Sequence, residues 1–188
     1  MIDAARYDTT ATLRSGMGVR VRSIRPDDKK RLAEAFKNLD SESIYTRFFH
    51  HKKMLTDEEL KSATELDFEN AVALVVTTGE GEHETIIGAG RYVVIEETGK
   101  LRSAEVAFTI EEDYHRQGMA RILLQHLSSI AREKGVSGFK AEVLPENMAM
   151  LTVFSHSGLP KQKKFRDGVV HVSLSVTEEV PSEYGSSY

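Results

Sequence analysis

The chain has no cysteine and no tryptophan among its 188 residues. Without cysteine there is no disulfide framework, no thiol nucleophile and no Cys-based zinc site. Long apolar runs are also missing, and none approaches the about 20 residues that a membrane-spanning helix needs. Positive charge is in deficit, because 25 Lys and Arg stand against 29 Asp and Glu, a net charge of −4. Non-specific nucleic-acid binding usually requires a basic surface, so we predict no nucleic-acid partner.

What is present is the composition of a globular protein, with 40% hydrophobic and 29% charged residues. A chain of this length forms one domain with a full-sized core. We predict a loose N-terminal segment at 1–11, a single domain at 12–176 and a mobile tail at 177–188. The polar, acidic N-terminus is unlike a signal peptide, which predicts a cytoplasmic protein with no membrane partner. No spacing of residues is typical of a metal site, so no metal is predicted.

Residues 103–126 contain the most informative pattern of the chain. Apolar residues alternate from Ala104 to Ile110, with the period of two that a strand has. From Met119 onward the apolar residues recur at i, i+3, i+4 and i+7, which indicates an amphipathic helix. Gly118 lies between the two elements, at the start of the helix. A helix begins with unpaired N–H groups, and a glycine there lets an anion such as pyrophosphate approach the backbone.

The remaining patterns predict the order β-β-α-α-α-β-β-β-α-β-α-β-β. This order indicates an α+β domain with a mixed, mostly antiparallel twisted sheet and helices on both faces. Gly88 and Gly90 fall inside a strand, where they suggest a bulge or close packing. The predicted elements are a hairpin at 11–14 and 19–24, helices opening at 25–28, 41 and 56, strands at 71–77, 85–95, 104–110 and 139–143, a helix at 118–134, a helix that opens at 145–147 and runs to about 157, and a hairpin at 162–165 and 169–174.

The turn at His115–Ala120 resembles the acyl-CoA-binding motif of the GNAT superfamily of N-acetyltransferases, (Gln/Arg)-x-x-Gly-x-(Gly/Ala), with His115 in place of Gln or Arg. Residues 143–159 are similar to the motif that follows the fifth strand of these enzymes, with Asn147, then Phe154 where an aromatic, usually Tyr, is expected. Residues 41–49 and 55–60 resemble the Pat-type branch, whose better-known members acetylate protein lysines. The resemblance covers about residues 12–175 and implies the GNAT fold.

The resemblance implies acetyl-CoA as the cofactor, with CoA as the product. The backbone of Phe108 and Ile110 would pair with the pantetheine arm, and the N–H groups of the turn would hold the pyrophosphate. For Arg116 and Arg121, a phosphate contact and a solvated helix end are equally compatible with the sequence. The implied cofactor-binding residues are Phe108, Ile110, His115, Arg116, Gln117, Gly118, Met119, Ala120, Arg121, Asn147 and Phe154.

Glu105 is the candidate general base. It lies on the strand face of Ala107 and Thr109, whose small side chains leave room for a substrate, and the family places its glutamate base at this position. We expect partial burial to raise its pKa towards neutrality, although an ordinary polar residue of a half-exposed strand would fit the same pattern. Phe154 cannot protonate the leaving thiolate as a tyrosine would. The thiolate then leaves unassisted, or Ser155 or His156 serves, or catalysis is weak or lost.

The sequence therefore predicts an acyl-CoA-dependent N-acetyltransferase that acts on a primary amine, with a protein lysine as the favoured acceptor. Two alternatives stay open, an acetyltransferase for a small-molecule amine and a catalytically silent CoA-binding sensor. The latter is suggested by Phe154 and His115. We expect a monomer or a homodimer.

Overall fold

The computed structural model describes residues 1–50, 52–99 and 101–177. Eight strands form one sheet with the order β1-β2-β3-β4-β5-β6-β8-β7. The strands are β1 Asp8–Thr12, β2 Gly18–Ser23, β3 Ala71–Thr78, β4 Thr85–Thr98, β5 Leu101–Ile110, β6 Gly138–Val143, β7 Lys161–Arg166 and β8 Val169–Ser175. The helices are α1 Lys29–Lys37, α2 Ser41–Phe48, α3 Asp57–Thr64, α4 Met119–Glu133 and α5 Met148–Ser155. This is the predicted order of strands and helices.

The sheet is antiparallel except at its centre, which confirms the predicted mixed sheet. β5 and β6 run parallel and are connected by α4. Their pairing is short, since it extends only from Ser103 opposite Gly138 to Glu105 opposite Lys140. Beyond Glu105 the two strands part, although β5 stays paired with β4 as far as Ile110 opposite Gly88. The sheet is therefore open on one side of β5 over the last residues of that strand.

Helices cover both faces of the sheet, as predicted. α4 and α5 pack on the face that contains the larger core, because the apolar stripe of α4, including Leu123, Leu127 and Ile130, is buried against it. α1, α2 and α3 lie on the opposite face, over a smaller cluster that contains Ile24 and Val75. The alternating side chains of β5 consequently face two different layers of helices.

The two glycines of β4 allow the helix layer to approach the sheet closely. A Cβ atom at Gly88 would lie 2.2 Å from the Met119 sulfur, and one at Gly90 would lie 2.9 Å from the Phe108 ring. Opposite Gly88 the register of β3 and β4 also shifts, next to Val76. Both predicted roles of these glycines, close packing and a bulge, are thus confirmed. Any larger side chain at Gly88 would displace the first turn of α4.

The N-terminal segment differs from its prediction. Strand β1 spans Asp8–Thr12 rather than 11–14, so most of it falls within the segment expected to be loose. Ala4 is buried, and its carbonyl oxygen accepts a hydrogen bond from the Ser23 hydroxyl. The reason is that pairing with β2, and not hydrophobic alternation, forms this strand. The predicted tail at 177–188 lies outside the described residues except for Thr177.

In the described part of the chain, none of the helices has the length and apolar character needed to cross a membrane.

Candidate functional site

A cleft of about 780 Å³ opens where β5 and β6 part. We call it the β5–β6 cleft; its walls come from α2, β5, the turn at 114–121, β6 and α5. The structure brings nearly all of the predicted site residues to this one cleft. Its lining includes Glu105, Phe108, Ile110, His115, Arg116, Gly118, Met119, Ala120, Arg121, Asn147 and Phe154, and among the predicted residues only Gln117 is not part of it.

The backbone of β5 faces the cleft at its even-numbered residues. The carbonyl oxygen of Arg102 accepts from Ser137 N at 2.8 Å on the β6 side. The N–H of Glu111 donates to the Ile87 oxygen at 3.0 Å on the β4 side. Because successive residues of a strand direct their backbone groups to opposite neighbours, Phe108 directs its N–H and C=O into the opening. An extended ligand chain can pair there as an added strand.

At the end of β5, a side chain already occupies one of these backbone groups. The His115 Nε2 donates a hydrogen bond to the carbonyl oxygen of Ile110 at 2.9 Å. The predicted pairing of a ligand with Ile110 therefore requires the imidazole to move away from that oxygen. Since His115 is exposed, its ring has room to turn away from this oxygen.

The turn before α4 has the geometry of an anion-binding loop. Arg116 and Gly118 both adopt left-handed backbone conformations, with φ of 62° and 84°. Helix α4 begins at Met119, and no side chain caps its N-terminus, so its first N–H groups are available to a ligand. A Cβ atom at Gly118 would have only the Arg14 side chain nearby, at 3.7 Å. The pyrophosphate of a CoA molecule fits this arrangement.

Arg14 contacts this turn from the hairpin turn between β1 and β2, and the sequence did not indicate it as a site residue. It lines the cleft, its side chain lies beside Gly118, and its Nη1 donates to the Arg116 carbonyl oxygen at 3.2 Å. Gln117 connects the hairpin turn to the turn before α4. Its backbone oxygen accepts a hydrogen bond from Arg14 N at 3.1 Å, and its side-chain oxygen accepts one from Ser15 N at 2.9 Å. Arg14 is more than a hundred positions away in sequence, in a hairpin turn, so only the fold could place it here.

Glu105 lies at the point where β5 and β6 separate. It is on the same strand face as Ala107 and Thr109, as predicted, and opposite the buried Val106 and Phe108. The predicted partial burial is wrong, since the side chain of Glu105 is exposed. The reason is that Glu105 is the last residue of β5 that pairs with β6, so its side chain borders the opening between the two strands.

The second motif forms the opposite wall of the cleft. Asn147 caps α5, with its side-chain oxygen accepting from Met150 N at 3.2 Å. Phe154 is buried, and its ring packs against Phe108 with centroids 6.2 Å apart. Of the two residues considered as substitutes for a tyrosine, His156 lines the cleft. Ser155 instead accepts a hydrogen bond from the Lys163 ammonium group and is not part of the cleft lining.

A second cleft, of about 550 Å³, lies on the other face of the sheet. We call it the α1–α3 cleft, because its walls are residues of α1, α2 and α3 above residues of β3, β4 and β5. Most of its lining is apolar, including Leu32, Phe36 and Ile86. The two clefts share Arg47, Phe48, Ala107 and Thr109. They therefore meet beside β5, next to Glu105.

Two arginines lie at this meeting point, and the sequence indicated neither. Arg47 belongs to α2, and its guanidinium lies 4.9 Å from the centroid of the Phe48 ring. Arg91 belongs to β4, directly opposite Ala107 of β5. Burial lowers the pKa of both groups, and the Glu105 carboxylate partly opposes that effect in each. A charged residue between Gly90 and Tyr92, inside a strand with otherwise apolar neighbours, was the available signal for Arg91.

Comparison with known proteins matches the chain to one family. The model of the acetyltransferase (GNAT) family matches residues 35–158. Acetyltransferase Pat of Mycolicibacterium smegmatis is 32% identical over 146 residues, which are 78% of this chain and 42% of that protein. An acetyltransferase of Pseudomonas aeruginosa is 26% identical over 162 residues, 85% of this chain and 86% of that protein. The chain thus spans less than half the length of the Pat protein that it matches.

Among solved structures, the GNAT domain of S. lividans PAT superimposes with a TM-score of 0.82 and 35% identity, covering 89% of this chain and 96% of that one. These matches confirm the predicted fold and the predicted resemblance to the Pat-type branch.

Proposed function

We propose that this chain, which belongs to the acetyltransferase (GNAT) family, is an N-acetyltransferase that moves an acetyl group from acetyl-CoA to a protein lysine with Glu105 as the general base. The observation that carries this proposal is the parting of β5 and β6 directly after Glu105. The resemblance to the Pat-type branch supports lysine as the acceptor. A cytoplasmic location stays a prediction of the sequence.

The residues that would hold acetyl-CoA lie along one path through the β5–β6 cleft. The free backbone groups of Phe108 would pair with the pantetheine arm, and the N–H groups at the start of α4 would bind the pyrophosphate. Arg14, Arg116 and Arg121 line the same end of the cleft and would add charge-assisted hydrogen bonds to phosphate oxygens. When bound, the cofactor supplies an activated acetyl thioester.

Glu105 would remove the proton that a lysine ammonium carries at neutral pH. The amine attacks only in its neutral form, so a carboxylate beside the thioester is needed to accept this proton. Glu105 is exposed at the opening and can reach an incoming amine directly or through one water molecule. The Arg47 and Arg91 guanidinium groups attract its carboxylate electrostatically.

No acid of the cleft is needed for the leaving thiolate. Phe154 has no proton to give, and a free thiol with a pKa of about 8.5 leaves as a thiolate without full protonation. His156 lines the cleft and is able to supply a proton there, as are Tyr114 and His115. We assign none of the three a required role.

The test of Glu105 is the Glu105→Gln variant, assayed for transfer of labelled acetyl groups to lysine peptides. Removing a general base typically lowers the rate about 10²–10⁴-fold. Glu142→Gln is the matched control, because Glu142 is a second exposed carboxylate that lines the same cleft. Binding is measured separately by thermal unfolding, where acetyl-CoA at 100 times its Kd adds about 2.7 kcal/mol.

We expect Glu105→Gln to retain the acetyl-CoA-dependent rise in unfolding temperature and to lose transfer, while Glu142→Gln retains both. Equal rates for the two variants would remove Glu105 from the proposal. A wild-type protein that acetyl-CoA stabilises but that transfers nothing would instead be the silent sensor.

A further inference from the structure

The pair Arg47 and Arg91 is unusual among the cations of this protein. Both side chains are half-buried. Yet neither has a carboxylate oxygen within 4.0 Å or a hydrogen-bond acceptor in the part of the chain that the structure describes. Every other described Lys or Arg that is not exposed does form an ion pair. These are Arg22, Lys29, Arg31, Lys52, Arg102 and Lys134.

Half-buried charges without a carboxylate partner are unfavourable, because desolvation weakens their hydration, and the contact of Arg47 with the Phe48 ring supplies no hydrogen bond in its place. The two guanidinium groups also repel each other. The Glu105 carboxylate attracts them but forms no ion pair with either. An anion bound between the two arginines would supply the missing hydrogen bonds, and a carboxylate matches the planar donor geometry of arginine.

The location of the pair indicates which molecule brings the anion. Arg47 lines both clefts, whereas Arg91 lines only the α1–α3 cleft. The cofactor path runs along the even-numbered backbone groups of β5, in the opening towards β6, whereas Arg91 lies on the opposite side of that strand, on β4. Arg91 lies opposite Ala107, and Glu105 faces the same side two residues earlier. A group bound by Arg91 therefore approaches Glu105 from the acceptor side.

We propose that Arg47 and Arg91 bind a carboxylate of the acceptor, so that the preferred substrate is an amine with a carboxylate nearby, either free lysine or a peptide lysine beside an acidic residue. The proposal rests on the proposed transferase function. It assigns the α1–α3 cleft to the acceptor, with its apolar walls accommodating an aliphatic chain and its arginine end holding the anion.

The experiment compares acceptors that differ only in a carboxylate. L-lysine is paired with cadaverine, and a peptide with aspartate beside its lysine is paired with the asparagine peptide. We expect wild type to favour the carboxylate member of a pair by about tenfold or more in kcat/KM, as for a lost charge-assisted hydrogen bond. Arg91→Gln and Arg47→Gln should reduce this ratio towards one. Arg6→Gln is the control, since Arg6 is exposed and lines neither cleft.

A calorimetric arm measures binding of the same acceptors to the CoA complex, in which no transfer takes place. If wild type shows no carboxylate preference in either arm, or if Arg91→Gln keeps it, the proposal is wrong. This outcome differs from failure of the transferase function, which would be absence of an acetyl-CoA-dependent rise in unfolding temperature.

A final arm distinguishes the acceptor from the acyl group as the source of the carboxylate. Succinyl-CoA and acetyl-CoA are compared as donors for wild type and Arg91→Gln. The acceptor proposal predicts that the variant changes the two rates equally. A preference for succinyl-CoA that disappears in Arg91→Gln would place the carboxylate on the acyl chain and overturn the assignment to the acceptor.

Discussion

Buried arginines occur in two regions of this protein, and the two regions treat charge differently. Arg22 of β2 is 1% exposed, and its guanidinium donates to both carboxylate oxygens of Asp28 and to one of Glu84, each at 2.8 Å. Arg47 and Arg91 are half-buried at the junction of the two clefts without such partners. One region neutralises its charge within the fold, and the other leaves charge available to a ligand.

The direction of the pKa shift also differs between Arg22 and the pair Arg47 and Arg91. Burial alone would lower the pKa of Arg22, but the hydrogen bonds to Asp28 and Glu84 outweigh burial and raise it. For Arg47 and Arg91, burial dominates and lowers the pKa. A buried charge is thus structural where the fold supplies its counter-charges. Where the fold does not supply them, the charge identifies a place for chemistry.

The largest effect is expected from Arg22→Met. The substitution leaves Asp28 and Glu84 buried without their main partner, and breaking a buried ion pair in this way costs about 3–5 kcal/mol. Urea unfolding measures the loss. Arg166→Met is the matched control, since Arg166 pairs with Asp167 at the surface, where an ion pair contributes about 0.2–1 kcal/mol. Similar losses in the two variants would remove the distinction between this cluster and ordinary surface pairs.

The next effect is a decrease of the free energy of unfolding at acidic pH. Burial alone would raise the pKa of Asp28 and of Glu84. Hydrogen bonds from Arg22, together with one from Arg25 N to Asp28 and one from Thr77 to Glu84 and the attraction of nearby arginines, hold both pKa values below their ordinary values. Carboxylates with a lowered pKa stabilise the fold above the unfolded-state pKa of about 4, and this contribution disappears as the pH falls through the lowered values. We expect the free energy of unfolding to decrease steadily below about pH 4. In Asp28→Asn this decrease should be shallower, and an unchanged slope would contradict the assignment.

The sequence predicted the cofactor side of the molecule well. Residues 103–134 have clear strand and helix periods, and the turn motif fixes the start of α4, so local pattern alone places Gly118 at the helix N-terminus. The roles of Gly88 and Gly90 followed from their position inside a strand. Strand β1 was misplaced because Asp8–Thr12 has no strong alternation, and only its pairing with β2 defines it.

The acceptor side could not be predicted in the same way. Arg47 and Arg91 come together because α2 packs over the central strands. Arg47 lies within the stretch 41–49, but that resemblance indicates a family and assigns Arg47 no role, and Arg91 belongs to no motif. Arg14 reaches the α4 turn through a loop contact for the same reason. The exposure of Glu105 also depends on where two distant strands part, which no periodicity within β5 encodes.

The smallest expected effect is a change in the free energy of unfolding when Arg47 or Arg91, the arginines without a carboxylate partner, is replaced. Because Arg47 and Arg91 are charged in both the folded and the unfolded chain at pH 7, and the fold disfavours the charge, removing it should stabilise the free protein. We expect Arg47→Gln and Arg91→Gln to raise the free energy of unfolding by about 0.5–1 kcal/mol, a gain of about 2–4 °C in Tm per kcal/mol. Arg102→Gln is the control, because Arg102 is equally withdrawn from solvent but donates to Asn70 and Lys134. That variant should lose stability. A loss of stability in Arg91→Gln as well would make its guanidinium part of the structure, and the carboxylate site would lose its physical reason.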